Sequence, residues 1–155
     1  MLVLPIQLGG HHYAVESRHV VEVVPRVPLR VVPHAPPLLV GLLAFRGKVV
    51  PVIDLAQLLH DTPTSPALST RILVVRLGEG EAGRLVGLVA EAVTEAVPMT
   101  EDQFSDAGMH VPGSPHLGGV ASTEHGLVPM ILVQHLPQVA EVRSLLTGSD
   151  GGEHG

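Results

Sequence analysis

Short aliphatic runs recur along this chain, each closed by glycine, proline or a polar cluster. They fall at Met1–Leu8, Tyr13–Val15, Val20–Val24, Val40–Phe45, Lys48–Leu55, Arg71–Leu77, Leu85–Val89, Leu117–Ala121 and Leu127–Val133. Runs of this length, rich in Val and Ile and bounded by turn residues, predict β-strands. Arg46-Gly47-Lys48 separates two of them and predicts a hairpin tip, with Gly47 free to take positive φ. Pro51 lacks a ladder N–H, so its strand has an edge or a bulge there. Glu22 interrupts a valine run and marks the solvent side of that strand.

Helix signals are sparse. Asp54 is placed to cap a short turn over Leu55–Leu59. Thr100-Glu101-Asp102-Gln103 has capping-box spacing. Pro137 fits a first helical position, Gly148 fits a stop, and Val139, Val142, Leu145 and Leu146 share the face that should dock the helix between them. Ser149–Gly155 is expected to be a disordered tail after a single domain over residues 1–148. The Pro25–Pro37 stretch reads as extended irregular chain. His60–Thr70 reads as a polar loop and the best candidate for mobility.

The chain also resembles itself. Gly41 and Gly119 are 78 residues apart, as are Pro51 and Pro129, and in that frame Val50, Ile53 and Leu58 meet Val128, Ile131 and Leu136. Val20-x-Glu22-x-Val24 recurs as Val93-x-Glu95-x-Val97. Two small β-barrels, one per half, are the expected architecture. Neither half is large enough to be comfortably stable alone, so the two should pack together. The repeat fails at Arg46-Gly47-Lys48, which aligns with Glu124-His125-Gly126, and at Asp54, which aligns with Leu132. A charge needed to fold both halves should occur in both, which points Arg46 towards binding.

Composition narrows the function. Hydrophobic residues make up 45% of the chain but aromatics only 2%, so the core is aliphatic. Gly numbers 17 and Pro 14, which suits many turns and few long helices. The formal charge is −6, with no basic run, which argues against a nucleic-acid partner. Cysteine is absent, so disulfides and cysteine metal sites are excluded. No apolar stretch has membrane-spanning length and the start lacks a signal-peptide pattern, so a cytoplasmic location without direct membrane insertion is expected. The ten histidines lack zinc-site spacing and read as solvated loop residues, and no G-x-S-x-G or P-loop occurs. Asp54 as an N-cap is a cheaper reading than Asp54 as a catalytic acid. No enzyme activity, metal or cofactor is expected.

Gly41, Arg46-Gly47 and Val49-Val50-Pro51-Val52-Ile53-Asp54-Leu55 resemble the signature of the CheW-like domain family, G-V-x-N-L-R-G-x-V-V-P-V-I-D-L. Here Ala44-Phe45 stands for the Asn-Leu pair. Tyr13-Ala14-Val15 with Val20-x-Glu22-Val23, Arg71–Leu77, Val86–Val89, and Gly119-Val120 with Leu127–Leu132 resemble the family's other strands. Two family acids are missing: Ala90 follows Val89, and no Asp lies near Val133. The resemblance implies an all-β fold of two SH3-like, five-stranded β-barrel subdomains around a shared core, with short helices and a C-terminal helix. It implies a non-catalytic adaptor that couples methyl-accepting chemoreceptors to a CheA-type histidine kinase in chemosensory arrays. The partners would be the kinase's regulatory domain and the receptor's cytoplasmic hairpin tip. Carried over by position, the receptor-facing set is Val20, Glu22, Gly41, Arg46, Ile72 and Gly87. Arg46 would offer donors to the receptor, Glu22 would pair with a receptor cation or hold Arg46, and the two glycines would let a helix approach. Thr100–Gly118 is a candidate kinase-facing region. The alternative is a module of another motility or surface-sensing pathway that occupies array sites without activating the kinase.

Overall fold

Twelve strands form two sheets in the computed structural model, which describes residues 1–78, 83–106 and 111–151. The strands are β1 (Leu2–Leu8), β2 (His11–Glu16), β3 (Val20–Pro25), β4 (Leu39–Phe45), β5 (Lys48–Asp54) and β6 (Arg71–Leu77). They continue with β7 (Arg84–Ala90), β8 (Ala92–Val93), β9 (Val97–Pro98), β10 (Phe104–Ser105), β11 (Leu117–Thr123) and β12 (Gly126–Ile131). Sheet I has seven strands in the order β10-β11-β12-β2-β1-β8, with β9 also on β1. Sheet II has five, in the order β3-β6-β7-β5-β4.

The all-β, two-subdomain expectation holds, with two corrections. Sheet I has seven strands where five were expected, because one strand is broken into β8 and β9 and the short β10 is added on β11. Both pieces lie on β1, through Ile6↔Val93 and Val3↔Val97. The break sits opposite Pro5, which accepts a bond from the Thr94 amide at 3.1 Å and has no N–H to return. Nor does either ladder close into a full cylinder. In sheet II the outer edge of β4 instead meets Arg30, which exchanges both backbone hydrogen bonds with Leu42.

The repeat is real down to register, and it is interleaved. Leu42 faces Pro51 in the β4–β5 hairpin, and 78 residues on Val120 faces Pro129 in β11–β12. Parallel pairing follows in both, Val52 on Gly87 and Met130 on Ala14. The halves do not follow chain order. The β1–β2 hairpin joins the C-terminal strands in sheet I, while β3, the next strand, crosses to β6 in sheet II. Likewise β6–β7 lies in sheet II and sends β8 and β9 back to sheet I.

The interleaving produces one shared core. Leu4, Ile6, Leu8 and Val15 of sheet I pack with Leu73, Val75, Val86 and Leu88 of sheet II, and with Val133, Leu136, Val142 and Leu146. Alternate residues of the same strands fill the other side: Ile72 and Val74 meet Leu43, Phe45, Val50 and Val52. Strands covered on both faces lose the alternation of a half-exposed strand, which accounts for the continuous Ile72–Val75 run.

The short helices form where their caps allow. Helix α1 (Leu55–His60) begins at Asp54, whose Oδ1 accepts from the Ala56 and Gln57 amides at 3.0 and 3.3 Å. The same carboxylate accepts from the Thr64 amide at 2.8 Å and the Thr64 hydroxyl at 2.6 Å, tethering the following loop. The capping box at Thr100 is present, with Gln103 Oε1 accepting from the Thr100 amide at 2.7 Å. Helix α2 (Ala140–Gly151) starts later than expected, because Pro137 lies inside a 3₁₀ segment over Val133–Gln138. It also runs past Gly148, where the helix was expected to stop, since one helical glycine costs only about 1 kcal/mol. Residues 152–155 of the expected tail lie outside the described residues.

His116 departs from the solvated-histidine expectation. It is buried, and neither ring nitrogen has a hydrogen-bond partner among the described residues. Burial lowers its pKa, with the nearby Glu141 opposing in part. The unfolded chain therefore binds this proton more readily than the native state. Stability should be complete above the ordinary imidazole value of about 6.5 and fall as the pH drops below it. His116→Leu should flatten that fall. Urea midpoints at pH 7 and pH 5 for both proteins measure it, and equal slopes would refute it.

Candidate functional site

The tip of the β4–β5 hairpin carries an exposed charged pair of sheet II. Arg46 and Gly47 have φ of 49° and 76°, a two-residue turn with both residues left-handed. Glycine occupies that region freely. Arginine does so at about 1 kcal/mol, and such local strain clusters at sites of function. The Arg46 side chain is 63% exposed and donates from Nη2 to Glu22 Oε1 on β3. Its guanidinium carbon stands 4.8 Å from the centroid of the Phe45 ring. Because β3 and β4 are the two edges of the open sheet, this ion pair spans the seam. An exposed pair contributes under about 1 kcal/mol to folding, so Arg46 is oriented yet still available to a partner.

Of the six residues singled out in the sequence, the structure brings Glu22 and Arg46 together on the surface. Val20 lies on the same strand, half-buried against the shared core. The other three are packed within sheet II or against the strap over it. Ile72 is 1% exposed inside sheet II. A Cβ on Gly87 would stand 2.9 Å from Val52 Cγ2 and 3.0 Å from Ile72 Cγ2. A Cβ on Gly41 would stand 2.7 Å from the Arg30 carbonyl oxygen. These glycines admit the chain's own Leu29–Arg30 strap and core methyls, where the sequence suggested a partner helix.

Two neighbours of the site escaped the sequence reading. Phe45 serves as the platform under the guanidinium. Val49 is 72% exposed, and its repeat equivalent Leu127 is 73% exposed on the other hairpin. The parity of β5 held the signal: Val50 and Val52 point inward, so Val49 points out.

The histidines are more ordered than solvated loop residues. His11 stacks on His60 with ring centroids 5.0 Å apart, and His12 on His125 at 4.6 Å. The Tyr13 hydroxyl lies 3.0 Å from His60 Nε2, and burial raises the tyrosine's pKa. His19 Nδ1 accepts from the Gln134 side-chain amide at 3.2 Å, and burial and Arg18 lower its pKa despite Glu16. No group of three or more His or acidic residues suited to a metal occurs among the described residues. Of the expected kinase-facing region Thr100–Gly118, residues 107–110 lie outside the described residues.

An exposed guanidinium and valine on a hairpin, with a carboxylate on the opposite edge strand, are elements of protein recognition. The chain belongs to the CheW-like domain family, whose sequence profile matches residues 2–141. Similar curated proteins include the probable chemotaxis protein CheW of Rhizobium etli, 28% identical over 64% of this chain and 62% of that protein. The chemotaxis protein CheW of Rhizobium meliloti is 25% identical over 64% of this chain and 61% of its own length. That of Klebsiella aerogenes is 26% identical over 64% and 58%. The matched region thus spans about three-fifths of these relatives. In fold, the chain resembles the crystal structure of the scaffolding protein TtCheW from Thermoanaerobacter tengcongensis. Its TM-score is 0.73 and its identity 24%, covering 86% of this chain and 85% of that one. No helix among the described residues is long and apolar enough to cross a membrane.

Proposed function

We propose that this protein is a non-catalytic coupling adaptor that links chemoreceptors to a CheA-type histidine kinase, with Arg46 and Glu22 facing the receptor's cytoplasmic hairpin tip. The observation that carries the reading is the seam-spanning Arg46–Glu22 pair on a strained hairpin, within a chain of the CheW-like domain family. Relatives named as chemotaxis proteins and a structural neighbour titled a scaffolding protein support it. The guanidinium supplies a fork of donors, suited to receptor carboxylates or carbonyls. Glu22 holds the fork in place until a partner competes for it. The exposed Val49 adds apolar surface on the same hairpin, while Val20, of the same strand as Glu22, packs against the shared core.

Arg46→Glu sets a carboxylate against Glu22 and removes the fork. It should weaken receptor binding at least about tenfold, as loss of an interface arginine commonly does. The melting temperature should move by only about 2 °C, because the exposed pair adds little to folding. Kinase autophosphorylation reconstituted with a receptor fragment should rise with the parent protein and not with the variant. Binding of the kinase without a change in its rate would support the site-occupying alternative, with Ala44-Phe45 the first residues to restore to Asn-Leu. Undiminished receptor binding by Arg46→Glu would remove Arg46 from the interface.

A further inference from the structure

The end of sheet II opposite Arg46 carries a second surface. The chain leaves β3 at Pro25, passes over the start of β4 and faces the loop that follows α1. Between them lies a groove of about 460 Å³, lined by Val27, Leu29, Val31 and Val40 on one side and by Thr64–Pro66 on the other. It shares Arg26 and Pro66 with an adjoining groove of about 600 Å³ that reaches Leu68. Val31 is 71% exposed and Leu68 99%, while Val27 and Val40 are also exposed. Exposed aliphatic residues gathered along two joined grooves mark an interaction surface.

The walls are held in place before any partner arrives. Arg30 bonds to Leu42 on one side, and Asp54 holds Thr64 on the other. Arg71 Nη1 donates to the Leu68 and Thr70 carbonyls at 2.7 and 2.9 Å, fixing the far end of the loop. A preformed groove loses little ordering entropy on binding.

The charges choose the occupant. The charged lining residues of the two grooves are Arg26, Arg71 and Asp54. Asp54 already accepts four hydrogen bonds, so its charge is internally compensated. Arg26 is exposed at the junction, with no partner among the described residues. An apolar groove with a free cation, on a chain of formal charge −6, is a local reversal of sign. At contact distance the exposed Arg26 guanidinium is complementary to a carboxylate, while the rest of the chain's charge is screened beyond about a Debye length. We infer that this groove docks a partner-protein segment that combines aliphatic side chains with a carboxylate, the acid pairing with Arg26. It lies a full strand away from Arg46, so the two surfaces can be occupied at once. The inference stands beside the coupling role and does not depend on it.

The test uses the isotopically labelled full chain and a synthetic peptide of alternating Leu and Asp-Glu pairs, against a matched peptide with Lys for every acid. The acidic peptide should shift the amide resonances of Val27, Val31, Val40 and residues 64–68. It should bind at least tenfold more tightly than the lysine peptide. Arg26→Glu and Val31→Asp, both at exposed positions, should each weaken it at least tenfold, while Arg46→Glu should leave it within twofold. Shifts elsewhere, equal binding of the two peptides, no binding, or parental affinity in Arg26→Glu would each overturn the inference. So would concentration-dependent dimerisation through these same residues, which would assign the groove to a second copy.

Discussion

Asp54→Ala should lower the unfolding free energy by about 3 kcal/mol, the largest loss expected from any single polar side chain in this protein. The carboxylate is buried and accepts four hydrogen bonds, two from the start of α1 and two from Thr64. Loss of an N-cap alone costs about 1 kcal/mol. Bonds to a charged acceptor are worth about 1.5–3 kcal/mol, and donors left buried without partners add their desolvation. Asp54→Asn separates the two roles. Its remaining oxygen can still accept from α1 and from the Thr64 hydroxyl, but its NH₂ would face the Thr64 amide, so only part of the loss should remain. Urea unfolding of the parent and both variants measures this, and an Asp54→Ala cost below about 1 kcal/mol would refute the assigned role. The same variant should also loosen the Thr64 wall of the second groove, weakening the acidic peptide as well as the fold.

Gly41→Ala should cost about 2–3 kcal/mol. The new methyl would meet the Arg30 carbonyl oxygen at 2.7 Å and Leu29 Cβ at 3.0 Å. A backbone carbonyl cannot rotate away as a side-chain tip can, so the strap must lift from β4. Lifting it breaks both Arg30–Leu42 hydrogen bonds, 3.0 and 2.9 Å long. Gly47→Ala is the contrasting case. No atom lies within 4 Å of its Cβ position, and the cost there is conformational, about 1 kcal/mol for φ of 76°. Hydrogen exchange at the Arg30 and Leu42 amides distinguishes the two: it should accelerate in Gly41→Ala and stay unchanged in Gly47→Ala. Unchanged protection in Gly41→Ala would show that the strap tolerates the methyl.

Gly41 also shows where sequence reasoning reaches its limit. That a glycine was needed for a close approach was legible. Which atoms approach was not, because Leu29 and Arg30 reach β4 through a proline-rich stretch without periodicity. Arg46 and Glu22 were each legible, one by its turn and its absence from the second half, the other by a charge in a valine run. Their pairing across the seam depends on β3 and β4 being opposite edges of one sheet. Ile72 and Gly87 fell into the same set by position in the family pattern, yet Ile72 is buried and Gly87 abuts it and Val52. The parity that decides this is hidden when both faces of a strand are buried.

The sequence by itself determined nine of the twelve strands, the two hairpins and their matching registers, the Asp54 cap, the docking face of α2 and the resemblance to the CheW-like domain family. All of these are local, or repeat at fixed spacing, so short-range sterics and hydrogen bonding dictate them. Tertiary structure alone decided that the halves interleave, that β8 and β9 are one broken strand opposite Pro5, and that neither ladder closes. The reason is that β3 and the β8–β9 segment carry the same Val-Glu-Val pattern and could each pair with either hairpin. Only burial of one core common to both sheets selects the exchange, and that free energy belongs to the whole chain.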